Sequence, residues 1–174
     1  MITILTATKE EYELVQKNFP NYLVIRTGVG ASNVIKTISA LPEEILSGQF
    51  INIGFCGSNK LPVGTVTKVS RSYRLVDKNV EFEDYRNGYD FASLEGHDCY
   101  TSNSFVTEST VDEPVIYDME LNYIVAFPID IIGSVKIVSD NLDVCEYEKT
   151  IDTTSPEVWR EVRKCVEEIS RIRK

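Results

Sequence analysis

Short apolar runs alternate along the chain with segments whose apolar residues recur every three or four positions. The runs are rich in β-branched residues, which favours strands. Strands are predicted at Ile2–Thr6, Leu23–Arg26, 50–53 and 133–138, with a turn leading into a further strand at 62–69. The segments between the runs, and the last stretch of the chain, have the 3.6-residue period of amphipathic helices.

Local signals mark where several helices begin and end. Thr8-Lys-Glu-Glu11 has the spacing of a capping box, and Pro20 ends the helix that it opens. A second helix is predicted over 31–41. Ser155 followed by Pro156 predicts the N-cap and first turn of the final helix.

The middle of the chain gives weaker signals. Phe105 and Val106 are expected to end a strand, and 115–127 is predicted to be a largely buried helix limited by Pro128. The segment 71–100 mixes strand-like and polar pieces and receives no assignment.

Alternation of strands and helices predicts a three-layer α/β/α fold with a central, twisted, mostly parallel mixed sheet. With 174 residues and no linker or repeat, we expect one domain over 1–174. Ligands of such sheets bind beyond the carboxyl ends of the strands.

Charge and composition exclude several partners. The net charge of −9 disfavours nucleic acid and anionic membrane surfaces, although a small anion could still be bound locally. We see no signal peptide and no apolar run approaching the roughly 20 residues of a membrane helix, so a cytoplasmic protein is expected. Four cysteines without a CxxC pair, and one histidine, predict no metal site.

Glycines and carboxylates near strand ends are the candidate chemistry. Thr27-Gly-Val-Gly30 and Gly54-Phe-Cys-Gly57 each follow a strand, where glycine permits close approach of a ligand or simply a tight turn. Glu11 could merely complete its capping box, Asp140 merely begin a turn, and Glu120 merely lie on a solvated face. Taken one at a time, these structural interpretations are favoured.

Taken together, seven segments in order resemble the methylthioadenosine/S-adenosylhomocysteine nucleosidases of the nucleoside phosphorylase superfamily. The matching segments are Ala7-Thr-Lys-Glu-Glu11, Thr27-Gly-Val-Gly30, Ile51-Asn-Ile-Gly-Phe-Cys-Gly57, Val63-Gly-Thr-Val66, Thr101-Ser-Asn-Ser-Phe-Val106, Asp118-Met-Glu120 and Lys136-Ile-Val-Ser-Asp140. The resemblance implies a nucleoside phosphorylase-like fold, hydrolysis of the N-glycosidic bond of a purine nucleoside, no metal or organic cofactor, and a homodimer.

The resemblance also implies roles for residues at the matching positions. Asp140 would protonate the purine at N7, oriented by Ser139, and Glu11 would activate the attacking water. Met119 would pack under the ribose and Glu120 would accept hydrogen bonds from its hydroxyls. Phe105 would stack on the base and the main chain of Val106 would bind its edge. Further substrate contacts are implied at Ala7, Gly54 and Phe55, with Lys136 and Gly28 as additional candidates.

Alternatives remain open. A phosphorylase would use phosphate, yet Asn52 stands where the phosphorylases have Arg, and water is therefore favoured as nucleophile; Arg26 keeps phosphate in consideration. A nucleoside-binding protein without turnover is the other alternative. Three residues depart from the family pattern: Phe55 replaces Ser, Lys136 replaces Arg and Asn103 replaces Asp. Phe55 could fill the site of the water or face away from it.

Overall fold

The computed structural model describes residues 1–75, 88–91, 94–151 and 155–172. Of the segment that received no assignment, 76–87 and 92–93 lie outside the described residues. Within the described ranges, every helix is too short or too polar to cross a bilayer.

Eight strands and six helices occur in the described residues. The strands are β1 (Ile2–Thr6), β2 (Leu23–Arg26), β3 (Gln49–Ser58), β4 (Val66–Arg74), β5 (Tyr89–Asp90), β6 (His97–Thr101), β7 (Ile116–Asp118) and β8 (Asp130–Asp140). The helices are α1 (Lys9–Asn18), α2 (Ala31–Ser39), α3 (Glu43–Leu46), α4 (Leu121–Ile124), α5 (Val144–Ile151) and α6 (Pro156–Ile172). The strands at the start of the chain and the first and last helices are confirmed.

The strands form one mixed sheet in which β3 is the branch point. β3 pairs in parallel with β1 on one side and β8 on the other, and β1 pairs in parallel with β2. From β8 the pairing continues through β4, β6 and β7, and β7 returns antiparallel to the end of β3. The sheet thus closes on itself beyond β3, and the expected α/β/α architecture with a mixed central sheet is confirmed.

Helices cover this sheet in two groups. In one group, α6 contacts α1: the guanidinium of Arg163 on α6 donates to Oδ1 of Asn18 at the end of α1, at 2.9 Å. In the other group, α2 contacts α4. The apolar stripe of α6 is buried, and the helix packs on β4 and β8. Each large apolar side chain buried in this way contributes roughly 1.5–3 kcal/mol.

The helix predicted over 115–127 is wrong. Ile116–Asp118 instead forms strand β7 between β3 and β6, and only Leu121–Ile124 is helical. When a segment is apolar on all sides, the spacing of its apolar residues does not distinguish a strand from a helix. Here the backbone hydrogen-bonding groups of the segment pair with the two neighbouring strands. The carboxylate of Asp118 then caps the short helix by accepting the N–H of Leu121 at 3.0 Å.

Two further boundaries differ from expectation. β3 does not stop at Ile53 but continues to Ser58, so that Gly54 and Gly57 lie inside a strand rather than in a turn. Phe105 and Val106 do not end a strand, because β6 stops at Thr101 and a turn follows it, in which the N–H of Ser104 donates to the hydroxyl of Ser102.

Gly133 on β8 provides a test of the packing of α6. A Cβ at this position would lie 2.8 Å from Cδ1 and 2.9 Å from Cγ2 of the fully buried Ile169. We expect Gly133→Ala to lower the free energy of unfolding by about 1–3 kcal/mol, because overpacking displaces a fixed side chain. Urea denaturation followed by Trp159 fluorescence measures this. Adding Ile169→Val should restore part of the loss, and purely additive effects would contradict the proposed contact.

Candidate active site

A cavity of about 250 Å³ opens where β1 and β8 end on either side of β3. Its volume is close to the lower end of ligand pockets, which begin at about 300 Å³. Nine residues that the sequence singled out line it: Ala7, Glu11, Phe55, Phe105, Val106, Met119, Glu120, Ser139 and Asp140. Residues from distant parts of the chain therefore meet around one space.

The carboxylate of Glu11 is fixed by three backbone N–H groups. Oε2 accepts from Ala7 at 2.7 Å and from Thr8 at 2.9 Å, while Oε1 accepts from Phe55 at 2.8 Å. The hydroxyl of Thr8 accepts the N–H of Glu11 in return, which completes the predicted capping box. A carboxylate has about four acceptor positions. One therefore remains, on Oε1, for a group in the cavity.

The two glycines inside β3 leave room for the two candidate catalytic carboxylates. A Cβ on Gly54 would lie 3.0 Å from Oε1 of Glu11, and a Cβ on Gly57 would lie 2.9 Å from Oδ1 of Asp140. The sequence left two interpretations of this pair open, close approach of a ligand or simply a tight turn, and the turn was favoured. Their observed role is different, because the space that their missing side chains leave is occupied by acids.

Asp140 ends β8 and is held on both of its oxygens. The hydroxyl of Ser139 donates to Oδ2 at 2.8 Å, and the N–H of Leu142 donates to Oδ1 at 3.0 Å. Leu142 has φ 68°, an uncommon conformation for a residue with a large side chain, and such strain is concentrated at functional sites. Burial raises the pKa of Asp140, and the hydrogen bonds from Ser139 and Leu142 offset this only in part.

Glu120 is a third acid in the cavity wall, and its sequence neighbour Met119 lines the cavity as well. Its Oε1 accepts the N–H of Gly30 at 3.1 Å, which joins the loop before α2 to the site. Burial raises the pKa of Glu120 to about 8, and the charge of Asp118 adds to the shift while Lys136 opposes it.

Lys136 and Asp118 form an ion pair beneath the cavity. Nζ of Lys136 lies 2.6 Å from Oδ2 of Asp118, and both side chains are almost completely buried. The hydroxyl of Thr101 donates to Oδ1 of Asp118 at 2.6 Å. Burial alone would lower the pKa of Lys136, but the nearby acidic groups, with Asp118 first, together more than offset it, and the net shift is upward.

Aromatic rings face each other at the far end of the cavity. Phe105 and Tyr147 are in edge contact, with centroids 6.2 Å apart. Burial raises the pKa of the Tyr147 phenol, and the carboxylates of Glu11 and Glu10 add to this shift, so the hydroxyl stays protonated at neutral pH. The part of the cavity that these two rings line is suited to a flat, neutral ring.

Three predicted residues do not line this cavity. Gly54 lies behind Glu11, Lys136 lies behind Asp118, and Gly28 lines a neighbouring cleft. Asn103 also lies outside its wall, hydrogen-bonded to the hydroxyl of Tyr123. Phe55 is part of the wall of the cavity, and its N–H donates to the carboxylate of Glu11.

Half of the lining consists of residues to which the sequence analysis gave no individual role in the site, although most of them stand within its motifs. The additional residues are Thr8, Val29, Cys56, Gly57, Ser104, Tyr117, Asp118, Leu142 and Tyr147. Most are immediate neighbours of predicted residues, and their proximity in sequence was the available signal. Tyr147 is different, since it lies on a separate helix, and nothing in the motifs pointed to it.

Comparison with known proteins places the fold. No family model and no curated protein matches the chain. Solved structures do match over nearly the whole length. The Helicobacter pylori 5′-methylthioadenosine/S-adenosyl homocysteine nucleosidase has a TM-score of 0.71 at 13% identity, covering 96% of this chain and 97% of that one.

Two further structures agree. The futalosine hydrolase of Helicobacter pylori also has a TM-score of 0.71, at 13% identity and with coverage of 96% and 97%. A Chlamydia trachomatis nucleosidase bound to MTA has a TM-score of 0.69 at 15% identity, covering 97% of this chain and 98% of that one. The chain therefore has the α/β fold of the nucleosidases, as the resemblance of its motifs implied.

The buried ion pair gives a prediction for stability. Lys136→Met leaves Asp118 buried without its cation, and we expect the free energy of unfolding to fall by about 3–5 kcal/mol. Lys68→Met is a matched control, because Nζ of Lys68 also lies 2.6 Å from a carboxylate, that of Glu168, whose side chain is 52% exposed. The control should lose only about 0–1 kcal/mol. Equal losses in urea denaturation would show that burial does not matter here.

The raised pKa of Glu120 gives a prediction for pH. The folded chain binds this proton more tightly than the unfolded chain, in which the pKa is near 4.5. The stability that results is present below pH 4.5 and is lost as the pH rises through about 8. Glu120→Gln, which cannot ionise, should lose less stability than the wild type over that interval.

Urea denaturation at several pH values from about 4.5 to about 9 measures the difference. Glu44→Gln, at an exposed position on α3, controls for the removal of one carboxylate. Parallel stability curves for the wild type and Glu120→Gln would contradict the prediction.

Proposed function

We propose that this protein hydrolyses the N-glycosidic bond of a purine nucleoside and releases the free base. One observation carries the proposal: Glu11 and Asp140, which are 129 positions apart in the chain (140 − 11), line the same cavity, and Glu120 lines it with them. The similar structures include nucleosidases of 5′-methylthioadenosine and S-adenosyl homocysteine and a futalosine hydrolase, which supports this class of substrate.

Asp140 is proposed as the general acid. Burial raises its pKa, so its carboxyl keeps a proton closer to neutral pH than an exposed aspartate does. Ser139 and Leu142 fix the direction of its two oxygens. Proton transfer to N7 of the purine makes the base a neutral leaving group, and the ribosyl carbon passes through an oxocarbenium-like state.

Glu11 is proposed to hold the attacking water. Its one remaining acceptor position accepts a hydrogen bond from the water and takes up its proton as the C–O bond forms. Glu120 exchanges hydrogen bonds with the ribose hydroxyls through its carboxyl oxygens, and Met119 packs beside the sugar. Phe105 stacks on the base, Tyr147 supports the ring of Phe105 by edge contact, and the main chain of Val106 lies at the edge of the base.

Water is favoured over phosphate as the nucleophile. The described residues that line the cavity include four carboxylates and no cation. Lys136 is committed to Asp118 behind the wall. A phosphate ion placed near the sugar would therefore find no cationic donor among these residues to bind it. Arg26, which kept phosphorolysis in consideration, lines the neighbouring cleft instead.

The direct experiment is to incubate the protein with methylthioadenosine and with inosine, with and without inorganic phosphate. Free base in the absence of phosphate is the expected result. Base release that requires phosphate would identify a phosphorylase. Tight binding of nucleoside without any product would identify a binding protein, and either outcome would overturn the proposal.

Replacement of Asp140 tests its role as acid. We expect Asp140→Asn to lower kcat about 10²–10⁴-fold on a neutral purine nucleoside, the usual contribution of a positioned acid. The loss should be much smaller on the N7-methylated counterpart, whose base is already cationic and needs no proton. Glu11→Gln should be impaired on both substrates, because water activation is required either way. Initial rates of base release give these ratios.

Asp130→Asn is the matched control, at the exposed opposite end of β8. It should change neither rate appreciably. If Asp140→Asn lost the same factor on both substrates, Asp140 would not be the proton donor.

The remaining expectations are proposals about the state of the protein in the cell. We propose a single domain that forms a homodimer, supported by exposed apolar side chains on the edge strand, in the loop that follows it and on α2, namely Leu23, Val29 and Ile35. A cytoplasmic location is supported by four free cysteines, of which Cys145 is exposed, since thiols stay reduced there.

A further inference from the structure

A second cleft, of about 730 Å³, adjoins the nucleoside cavity. The two share Ala7, Thr8 and Val29 in their walls. Ala7 and Thr8 are the residues whose N–H groups hold Glu11, and Val29 precedes Gly30, which holds Glu120. The cleft therefore meets the cavity on the side of the sugar, whereas Asp140, at the base, lines only the cavity.

The charges of the two spaces are opposite. Three cationic side chains line the cleft, those of Lys9, Arg26 and Lys36, and no carboxylate does so among the described residues. Lys9 is also 3.6 Å from Glu13, in an exposed pair, and this contact is weak. In a chain with 27 acidic and 18 basic residues, this concentration of positive charge beside an acidic cavity is distinctive.

The floor of the cleft is rigid. The N–H of Thr27 donates to the carbonyl of Thr6 at 2.7 Å, and that of Gly28 donates to the carbonyl of Ala7 at 3.1 Å. Gly28 has φ 81°, and a Cβ there would lie 2.8 Å from Cβ of Asn33, so the loop accepts only glycine. The cations thus project from a fixed surface, which reduces the entropy lost when a ligand binds.

We propose that this cleft binds an anionic group carried on the 5′ substituent of the nucleoside. The inference rests on the proposed function, which assigns the base to Asp140, the water to Glu11 and the hydroxyls to Glu120. The 5′ carbon is the one position of the sugar that these assignments leave free to carry a substituent out of the cavity. Val29 lines both the cavity and the cleft, so a substituent on this carbon would pass it. A carboxylate or a phosphate has the chemistry that Arg26 and Lys36 would bind.

The test compares three adenine nucleosides that differ only at the 5′ position. 5′-Butylthioadenosine is neutral, 5′-(3-carboxypropylthio)adenosine has nearly the same length with a carboxylate, and adenosine 5′-phosphate carries the phosphate directly. We expect kcat/KM to be higher for a charged member than for the neutral one at low salt. The two charged members distinguish carboxylate from phosphate.

Removal of the cations should abolish this preference. The double variant Arg26→Gln/Lys36→Gln should lower the ratio of kcat/KM for the charged nucleoside to that for the neutral one by about tenfold. Each exposed ion pair with the ligand contributes only a small factor, so the two are removed together. Lys17→Gln, on an exposed position of α1 outside the cleft, should leave the ratio unchanged. The wild-type preference should also shrink as ionic strength rises from about 20 mM to about 500 mM, because salt screens exposed charges.

Outcomes separate this inference from the proposed function. Equal hydrolysis of all three nucleosides, or a ratio that the double variant leaves intact, overturns the anion site while the hydrolase stands. If none is hydrolysed, calorimetric titration of the same nucleosides still decides: tighter binding of a charged member, lost in the double variant, supports the cleft. Equal affinities overturn it. If inorganic phosphate alone occupies the cleft as a co-substrate, base release becomes phosphate-dependent and both proposals fail.

Discussion

The site depends on one carboxylate that accepts three backbone N–H groups. Glu11 joins the end of β1, the first turn of α1 and the middle of β3 through Ala7, Thr8 and Phe55. Buried donors of this kind are expensive to leave unpaired, so the acid is fixed before any ligand arrives. The arrangement requires Gly54, because a side chain on that residue would occupy the space of the carboxylate. Capping the helix and preparing the site are therefore the same set of contacts.

Much of the fold could be predicted because its signals are local. The capping box at Thr8 and the N-cap at Ser155 are defined by neighbours in sequence, and both were found in the structure. The helix predicted over 115–127 failed for the opposite reason, since strand pairing with β3 and β6 decides that segment. Gly54 was assigned to a turn because the acid that needs its space lies 43 residues earlier (54 − 11).

The same limit applies to the substitutions that seemed to weaken the resemblance. Lys136 in place of Arg looks like an isolated change in the sequence, yet its side chain forms a buried ion pair with Asp118 at 2.6 Å. The cation at this position therefore has a partner that the sequence did not indicate. Phe55 likewise looked disruptive, although the group that the site needs from it is its backbone N–H. Contact between distant residues is the information that a single sequence lacks.

Net charge is a poor guide to what such a protein binds. The value of −9 argues against an extended anionic partner, but fields inside clefts depend on the nearest few charges. Here four carboxylates line the cavity, where the proposed proton transfer would need them, and three cationic residues line the cleft beside it. A substrate whose negative charge lies away from the reacting carbon would be attracted by the cations of the cleft. The carboxylates of the cavity would not repel it strongly. A free phosphate ion that attacks the sugar must bring its negative charge to the reacting carbon itself, where the described residues of the cavity wall offer no cation. The same placement of charges therefore favours an anionic 5′ group and disfavours phosphate as nucleophile.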